Sequence, residues 1–470
     1  MSYIRLFNHY IHTPYLILGI IEFVVLVVSV HIGAVVRFPD VNELSFSVSE
    51  PIFVQSVVFS LSLIACTLAI GVYPAKLSEG HIGVLIRTVV SYCLLGASFL
   101  TILYYLFPSL FLGRGVLSIS ILIGYALVFP VRVMFFWLVD VNALKRRVLI
   151  LGTGNSASKL LDMIASEHES MSFHVVGCVK ASEGADQVES TLIMDKCSNL
   201  AECAKSLNVD EIIVALDERR KAEGGQFPVD RLLDAKLAGV AVTESIAFFE
   251  RETGKIELSL LNPSWLVFSQ GFSFSQIRDV LKRTFDLVIC SILLCIASPF
   301  MVLTALLVYL EDGAPVLFKQ TRVGINGKAF TLYKFRSMRK DAEKNGAVWA
   351  KENDDRITRV GNFIRNSRLD ELPQIYNVVK GDMSFVGPRP ERPEFVEGVC
   401  QNIPFYNERH RVKPGLMGWA QLKYPYGASV EDAANKLKYD LYYTKNHSFM
   451  LDLLIVVQTV EVVLLGKGVR

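Results

Sequence analysis

TFDLVICSILLCIASPFMVLTALLVYL, residues 284–310, is the stretch on which the fold turns. It is long and apolar enough to cross a bilayer, yet Ser298-Pro299 falls near its middle. Proline removes a helix hydrogen bond and bends the axis. Lys282 and Arg283 stand before the stretch, and Lys319 and Arg322 after it. With cations at both ends, a re-entrant helical hairpin with both ends on the cytoplasmic face is the simplest solution. A proline-kinked helix that spans the bilayer is the alternative, and the commoner outcome for an arbitrary sequence.

Four earlier segments also have spanning length: about Tyr15–Val36, Ile52–Val72, Val84–Phe107 and Val116–Leu138. Lys76 and Arg87 lie in or beside the second connection, and Lys145-Arg146-Arg147 follow the fourth segment. The first outer loop carries Asp40, Glu43 and Glu50. The positive-inside rule then places the N-terminus and residue 145 in the cytoplasm. Glu22, inside the first segment, faces a neighbouring helix or a bound lipid, or sits at a tolerated interfacial position. The composition agrees with a membrane protein: 470 residues, 51% hydrophobic, with a positive mean hydropathy. A net charge of +2 argues against a nucleic-acid partner. The eight cysteines form no CxxC pair, and Cys66, Cys93, Cys290 and Cys295 lie in apolar segments. They read as small buried hydrophobes in a reducing compartment rather than disulfide or zinc partners. The first apolar stretch is long and lacks a small-residue cleavage site, so no cleavable signal peptide is expected.

After the fourth segment the period changes. RRVLILGTGNSASKLL (146–161) reads as a strand, a glycine turn and a helix. Strands follow at 173–179, 210–216 and 240–244, with a helix near Asp230–Leu237, an alternation that predicts a small parallel sheet. Gly152, Gly154 and Ala157 match GxGxxA, the dinucleotide fingerprint, which is a weak signal alone. Lys180 stands where a ribose-binding acid is expected. The reading is a Rossmann-like module without a redox role, binding a regulatory nucleotide or a partner.

The chemistry is concentrated in RLDELPQIYNVVKGDMSFVGPRP (368–390). Asp370 and Glu371 are adjacent carboxylates before Pro373, and Leu372, Ile375, Tyr376 and Val379 have helical spacing up to Gly381. Asp370 is therefore a candidate N-cap, at a helix end that attracts anions. Arg365, Arg368, Arg389 and Arg392 flank the pair with guanidinium groups suited to phosphate oxygens. A carboxylate nucleophile, an acidic neighbour for Mg²⁺ and several arginines make a phosphoryl-transfer set. The plainer reading is a cap and a first-turn acid.

The whole string resembles the signature of the bacterial polyprenyl-phosphate hexose-1-phosphate transferases, large monotopic phosphoglycosyl transferases. The likeness extends through KRTFD (282–286), SP (298–299), PVLFKQTRVGINGKAF (315–330), KFRSM (334–338), RHRVKPGLMGWAQ (409–421) and KLKYDLYYTKN (436–446). It implies four transmembrane helices over 1–145, the Rossmann-like module over 146–250, a linker over 251–280, and a mainly α catalytic domain over 281–470. The hairpin of that domain, 284–310, is broken at Ser298 and Pro299. The resemblance also implies transfer of a hexose 1-phosphate from a UDP-sugar to undecaprenyl phosphate with release of UMP, the first membrane step of exopolysaccharide, capsule or O-antigen synthesis. Asp370 would attack phosphorus to form an aspartyl-phosphosugar intermediate, and Glu371 would hold Mg²⁺. Lys334, Arg336, Arg365 and Arg389 match family positions at the active site, and each is otherwise a surface cation. Gln421 and Asp440 are weaker candidates for sugar or nucleotide contact, and Asp440 alternatively pairs with a lysine.

After GWAQ the chain reads LKYPYGASVEDA where many relatives carry a Gly-Arg-Asn element, so sugar preference does not carry over. The last segment, Phe449–Leu465, has Asp452, Gln458 and Glu461 in an apolar background and reads as a helix lying along the membrane surface. Expected partners are the bilayer, a second copy of the chain and downstream polysaccharide-assembly glycosyltransferases. The expected location is the bacterial inner membrane, with the catalytic domain on its cytoplasmic face. Two rivals remain. A membrane-bound nucleotide-sugar dehydratase or epimerase needs a Tyr-x-x-x-Lys pair, and Tyr376 and Lys380 have that spacing. A non-catalytic assembly scaffold does not need Asp370, Glu371 and Arg389 together.

Overall fold

A computed structural model describes residues 3–6, 9–38, 50–69, 87–138, 145–166, 173–181, 186–194, 199–217, 227–261, 271–272, 275–342, 355–424 and 429–464. Asp40, Glu43, Lys76, residues 70–72 and 84–86 of the predicted spans, residues 425–428 and the Glu461 side chain lie outside this description. The chain forms two compact units, Met1–Phe248 and Phe249–Arg470.

In the first unit a short antiparallel hairpin, β1 (Tyr3–Leu6) and β2 (His9–His12), precedes α1 (Thr13–Arg37) and α2 (Glu50–Ala69). A π-helical turn at Val90–Gly96 runs into α3 (Ala97–Leu106), and α4 spans Arg114–Leu138. All four predicted apolar segments are thus helical over nearly all their described residues. Leu26, Val30, Phe59, Leu63, Tyr92, Leu100 and Val128 form their common core. Ile17, Ile20, Val24 and Leu122 face outward, an arrangement suited to lipid rather than water. Between apolar helices in lipid, close packing rather than water exclusion drives association. Accordingly Gly33 meets Ser120, and Gly124 meets Leu26 and Ser29, at positions where an added methyl collides. Glu22 faces a neighbouring helix: it is fully buried and accepts from Arg132 Nε at 2.5 Å and Nη2 at 2.9 Å. Arg132 Nη1 also donates to the Thr88 hydroxyl.

The same unit contains the predicted parallel sheet. Its strands are β3 (Arg146–Leu151), β4 (Phe173–Val179), β5 (Glu211–Val214) and β6 (Ala241–Glu244), in the order β4-β3-β5-β6. Helix α5 (Asn155–Ser166) follows the glycine turn, and α6 (Leu200–Ser206) and α7 (Val229–Leu237) cover the sheet through Leu200, Ala204, Leu232 and Ala235. The thiols of Cys66, Cys93, Cys178, Cys290, Cys295 and Cys400 are free. Cys203 departs from the uniformly reduced reading, being disulfide-bonded.

In the second unit the apolar stretch is helical on both sides of its Ser-Pro pair. It is a single helix, α8 (Gln276–Asp312), continuous through Pro299. The proline leaves the Cys295 carbonyl without its usual N–H partner, and the Ser298 hydroxyl donates to that carbonyl at 3.3 Å. The Ser298 hydroxyl thus serves the carbonyl that the proline frees, and the residues keep helical geometry on both sides of Pro299. Asp286, Cys290, Ala297, Thr304 and Val308 form one buried stripe along it, while Leu287, Ile292, Ile296, Phe300, Leu303 and Leu310 are exposed. Both ends are fastened to the same unit. Arg283 donates to the Val378 and Val379 carbonyls at 2.6 Å. At the far end, Arg336 donates to the Asp312 and Gly313 carbonyls at 3.0 and 2.7 Å, and Glu311 accepts from Val360 N at 3.1 Å.

The rest of this unit is a β-hairpin, β7 (Leu317–Val323) and β8 (Ala329–Phe335), followed by α9 (Arg359–Asn366), a 3₁₀ turn (Leu369–Gln374) and α10 (Ile375–Lys380). Strand β9 (Ser384–Val386) pairs in parallel with β10 (Gly415–Met417). Helices α11 (Pro393–Cys400), α12 (Trp419–Lys423), α13 (Val430–Asn446) and α14 (Phe449–Leu464) complete it. The segment expected as a linker is built into the unit: Trp419 Nε1 donates to Gly254 O at 2.7 Å, and Ile256 N to Lys438 O at 2.9 Å. Asp452 of α14 points inward, accepting from Lys282 at 2.6 Å and from the Tyr443 hydroxyl at 2.7 Å.

Candidate active site

Asp370 is not a helix cap. Pro373 disfavours α geometry in the residue before it, so the chain from Leu369 to Gln374 winds as a 3₁₀ turn and the α-helix starts only at Ile375. The cap position belongs to Arg368, held in the left-handed region at φ 58°. The predicted stop is met at Gly381, whose φ of 99° suits a residue without Cβ.

This turn leaves the two carboxylates in unlike surroundings. Glu371 Oε1 lies 3.1 Å from Arg389 Nη2, 3.4 Å from Lys334 Nζ and 4.0 Å from Arg368 Nη1. Burial alone would raise its pKa, but Arg389 and Lys334 outweigh it and hold the carboxyl well below the usual range. Asp370 is buried too, and among the described residues no ion pair or hydrogen bond holds its carboxylate. Burial pushes its pKa up, with Lys334 pulling the other way. Burial likewise lowers the Lys334 amine against the pull of Glu371. One acid is clasped by cations, and its buried neighbour has no such partner among the described residues.

Arg389 is positioned by its backbone. The Val386 carbonyl accepts from Lys282 at 3.1 Å, Pro388 O from Gly415 N at 2.9 Å, and Arg389 O from Arg409 Nη2 at 3.0 Å. Next along, Pro390 O accepts from Arg322 Nη1 at 2.9 Å and Glu391 O from Val323 N at 2.9 Å. Gly387 approaches the Lys413 carbonyl so closely that any Cβ there collides. Two prolines without N–H groups and a row of occupied carbonyls fix the loop, so Arg389 reaches Glu371 with little freedom to lose.

The predicted residues therefore divide. Asp370, Glu371, Lys334 and Arg389 converge, with Arg365 near enough to lower the Asp370 pKa through its charge. Arg336 does not join them: it is buried and spent on the Pro315, Asp312 and Gly313 carbonyls, tying the end of α8 and the approach to β7 to the end of β8. Asp440 is buried against Arg409, accepting at 3.0 and 2.7 Å, so its partner is an arginine rather than a lysine. Its reach to the site is indirect, through the bond of Arg409 to Arg389 O. Gln421 lies exposed on α12. Arg409 and Arg322 escape motif reasoning because they act on backbone carbonyls that no side-chain pattern announces. Of the rival pair, Lys380 is engaged with Asp382 at 2.8 Å, and the Tyr376 ring meets that of Tyr333 edge-on. Among the described residues no three His, Cys, Asp or Glu side chains gather as a metal cage, so a Mg²⁺ bound at Glu371 would take most of its ligands from substrate phosphates and water.

Residues 277–466 match the family model for bacterial sugar transferases, and residues 69–224 match that of a CoA-binding domain. The chain is 43% identical to the UDP-N-acetylgalactosamine-undecaprenyl-phosphate N-acetylgalactosaminephosphotransferase of Aeromonas hydrophila, over 50% of this chain and 55% of that relative. It is thus aligned with little more than half of that protein's length. It is 32% identical to the UDP-glucose:undecaprenyl-phosphate glucose-1-phosphate transferase of Escherichia coli K12, over 70% of each chain. To the undecaprenyl-phosphate galactose phosphotransferase of Salmonella typhimurium it is 31% identical, over 69% of each.

Proposed function

Because the chain belongs to the bacterial sugar transferase family, we propose that it moves a sugar 1-phosphate from a UDP-sugar to undecaprenyl phosphate and releases UMP. The observation that carries this reading is the division of labour in the acidic pair: Glu371 fixed by Arg389 and Lys334, Asp370 buried and unengaged. Asp370 attacks the phosphorus next to the sugar, a P–O bond to its carboxylate forms, and the P–O bond to UMP breaks with the electron pair leaving on UMP. An oxygen of undecaprenyl phosphate then attacks the same phosphorus and frees the Asp370 carboxylate. Dividing the transfer into two displacements lets one site serve a soluble donor and a lipid acceptor in turn. Lys334, Arg365 and Arg389 offset charge on the diphosphate, most effectively where water is excluded. Glu371 would hold Mg²⁺, which neutralises phosphate charge when bound.

On this reading α8 bends at Pro299 within the bilayer, where the proline removes a backbone hydrogen bond, and returns. Its two ends are bonded to one unit, and a unit cannot lie on both sides of a membrane. The donor is a cytoplasmic metabolite, so the site faces the cytoplasm and the membrane is the inner one. A homodimer and glycosyltransferases that extend the lipid-linked sugar are the partners this reading expects. The test is UMP release from a panel of UDP-sugars, with and without undecaprenyl phosphate. Label from the donor sugar phosphate trapped on the protein in the absence of lipid supports the covalent route. A strict need for both substrates before any UMP appears rules it out.

A further inference from the structure

The α/β module has the strand, glycine turn and helix of a dinucleotide site, and a CoA-binding family model covers it through β5, as far as residue 224. Its strand order places the topological switch point between β3 and β5, the crevice in which such folds hold a pyrophosphate on a helix N-terminus. In this chain a carboxylate rests there. Asp217, just beyond β5, accepts from Asn155 N at 2.8 Å and from Ser156 N at 2.5 Å. Those are the first two amides of α5, and the Ser156 hydroxyl bonds the same carboxylate. The Asp217 oxygen also lies where a Cβ on Gly154 would stand, over the backbone that a phosphate must approach.

The other half of the crevice is narrowed as well. Gln187 N donates to Thr153 O at 2.8 Å, folding the segment after β4 back onto the turn. Lys180, where a ribose-binding acid would stand, pairs with Asp186 at 2.5 Å. The residues present therefore do not fit a coenzyme. An arriving pyrophosphate meets a fixed negative charge on the amides it needs, and the glycines that admit phosphate elsewhere admit Asp217 here.

We infer that this cradle is closed by the protein's own Asp217, so that the module binds neither coenzyme A nor a nicotinamide dinucleotide through its glycine turn. The family's nucleotide architecture is retained as a self-filled scaffold.

Hydrogen exchange with mass spectrometry on the full-length protein in detergent tests this, with coenzyme A and NAD as probes. In the wild type, the peptide holding Asn155 and Ser156 exchanges slowly, and neither probe at millimolar concentration slows it further. Asp217→Ala releases the two amides, and the same peptide exchanges several-fold faster. Should that variant fail to fold, Asp217→Asn keeps an acceptor and serves instead, with intermediate protection. Fast exchange of this peptide in the wild type, or its added protection by either probe, overturns the proposal.

Discussion

Asp370 and Glu371 are neighbours in sequence with opposite electrostatic fates, and the difference is testable. Asp370→Asn keeps the shape and removes the anion. Transfer is expected to fall ~10³-fold or more, the scale for loss of a covalent nucleophile, with melting temperature unchanged. Activity near wild type in this variant would remove Asp370 from the chemistry. Glu371→Gln leaves Arg389 and Lys334 facing a neutral amide, and nearly as large a loss is expected, with weakened Mg²⁺ dependence. The pH profile separates the two acids. The carboxyl of Asp370 is raised by burial, and the nucleophile must be ionised. Activity is therefore full above that raised value and lost as pH falls through it, placing the acid limb above the ordinary carboxylate range. The motif made the four converging residues legible. Arg336 and Asp440 lie outside that cluster, since a buried ion pair and a bound phosphate call for the same side chains.

At the scale of elements, the helices and strands were legible from hydrophobic period and glycine punctuation, whereas continuity through Pro299 was not. A proline reads as a break unless a neighbouring hydroxyl serves the freed carbonyl, as Ser298 does for Cys295. Pro299→Leu restores the backbone hydrogen bond and straightens α8; lower activity with intact expression is expected, measured in isolated membranes. The 3₁₀ turn was hidden for a similar reason, since apolar spacing of three and four suits both helix types. The base of α8 carries another dependency. Lys282 joins Asp452, Tyr443 and the Val386 carbonyl, the last residue of the strand that leads to Arg389. Lys282→Met leaves Asp452 buried without its cation, and a loss of about 3–5 kcal/mol of stability is expected in thermal or denaturant unfolding. An unchanged unfolding midpoint would show that the contact contributes nothing.

For the whole molecule, composition and charge announced a membrane protein with an α/β insert, but not where its independent pieces begin. Contacts between residues far apart in sequence decide that, and Glu250, Gly254 and Ile256 bond to Lys445, Trp419 and Lys438. A protein cut to begin at Phe249 is expected to keep transfer. One beginning at Phe274 loses these bonds and should melt earlier with reduced activity, a comparison that purification in detergent allows. Equal stability of the two would mean that residues 249–273 are passengers. The tethering of both ends of α8 has one more outcome. With α8 re-entrant and the acceptor a polyprenyl phosphate, as proposed above, it would set the height of Asp370 above the hydrocarbon and leave the acceptor to meet the site by lateral diffusion alone. Turnover should then follow the mole fraction of acceptor in a vesicle or mixed micelle, falling under surface dilution with inert lipid even when the bulk concentration is held constant.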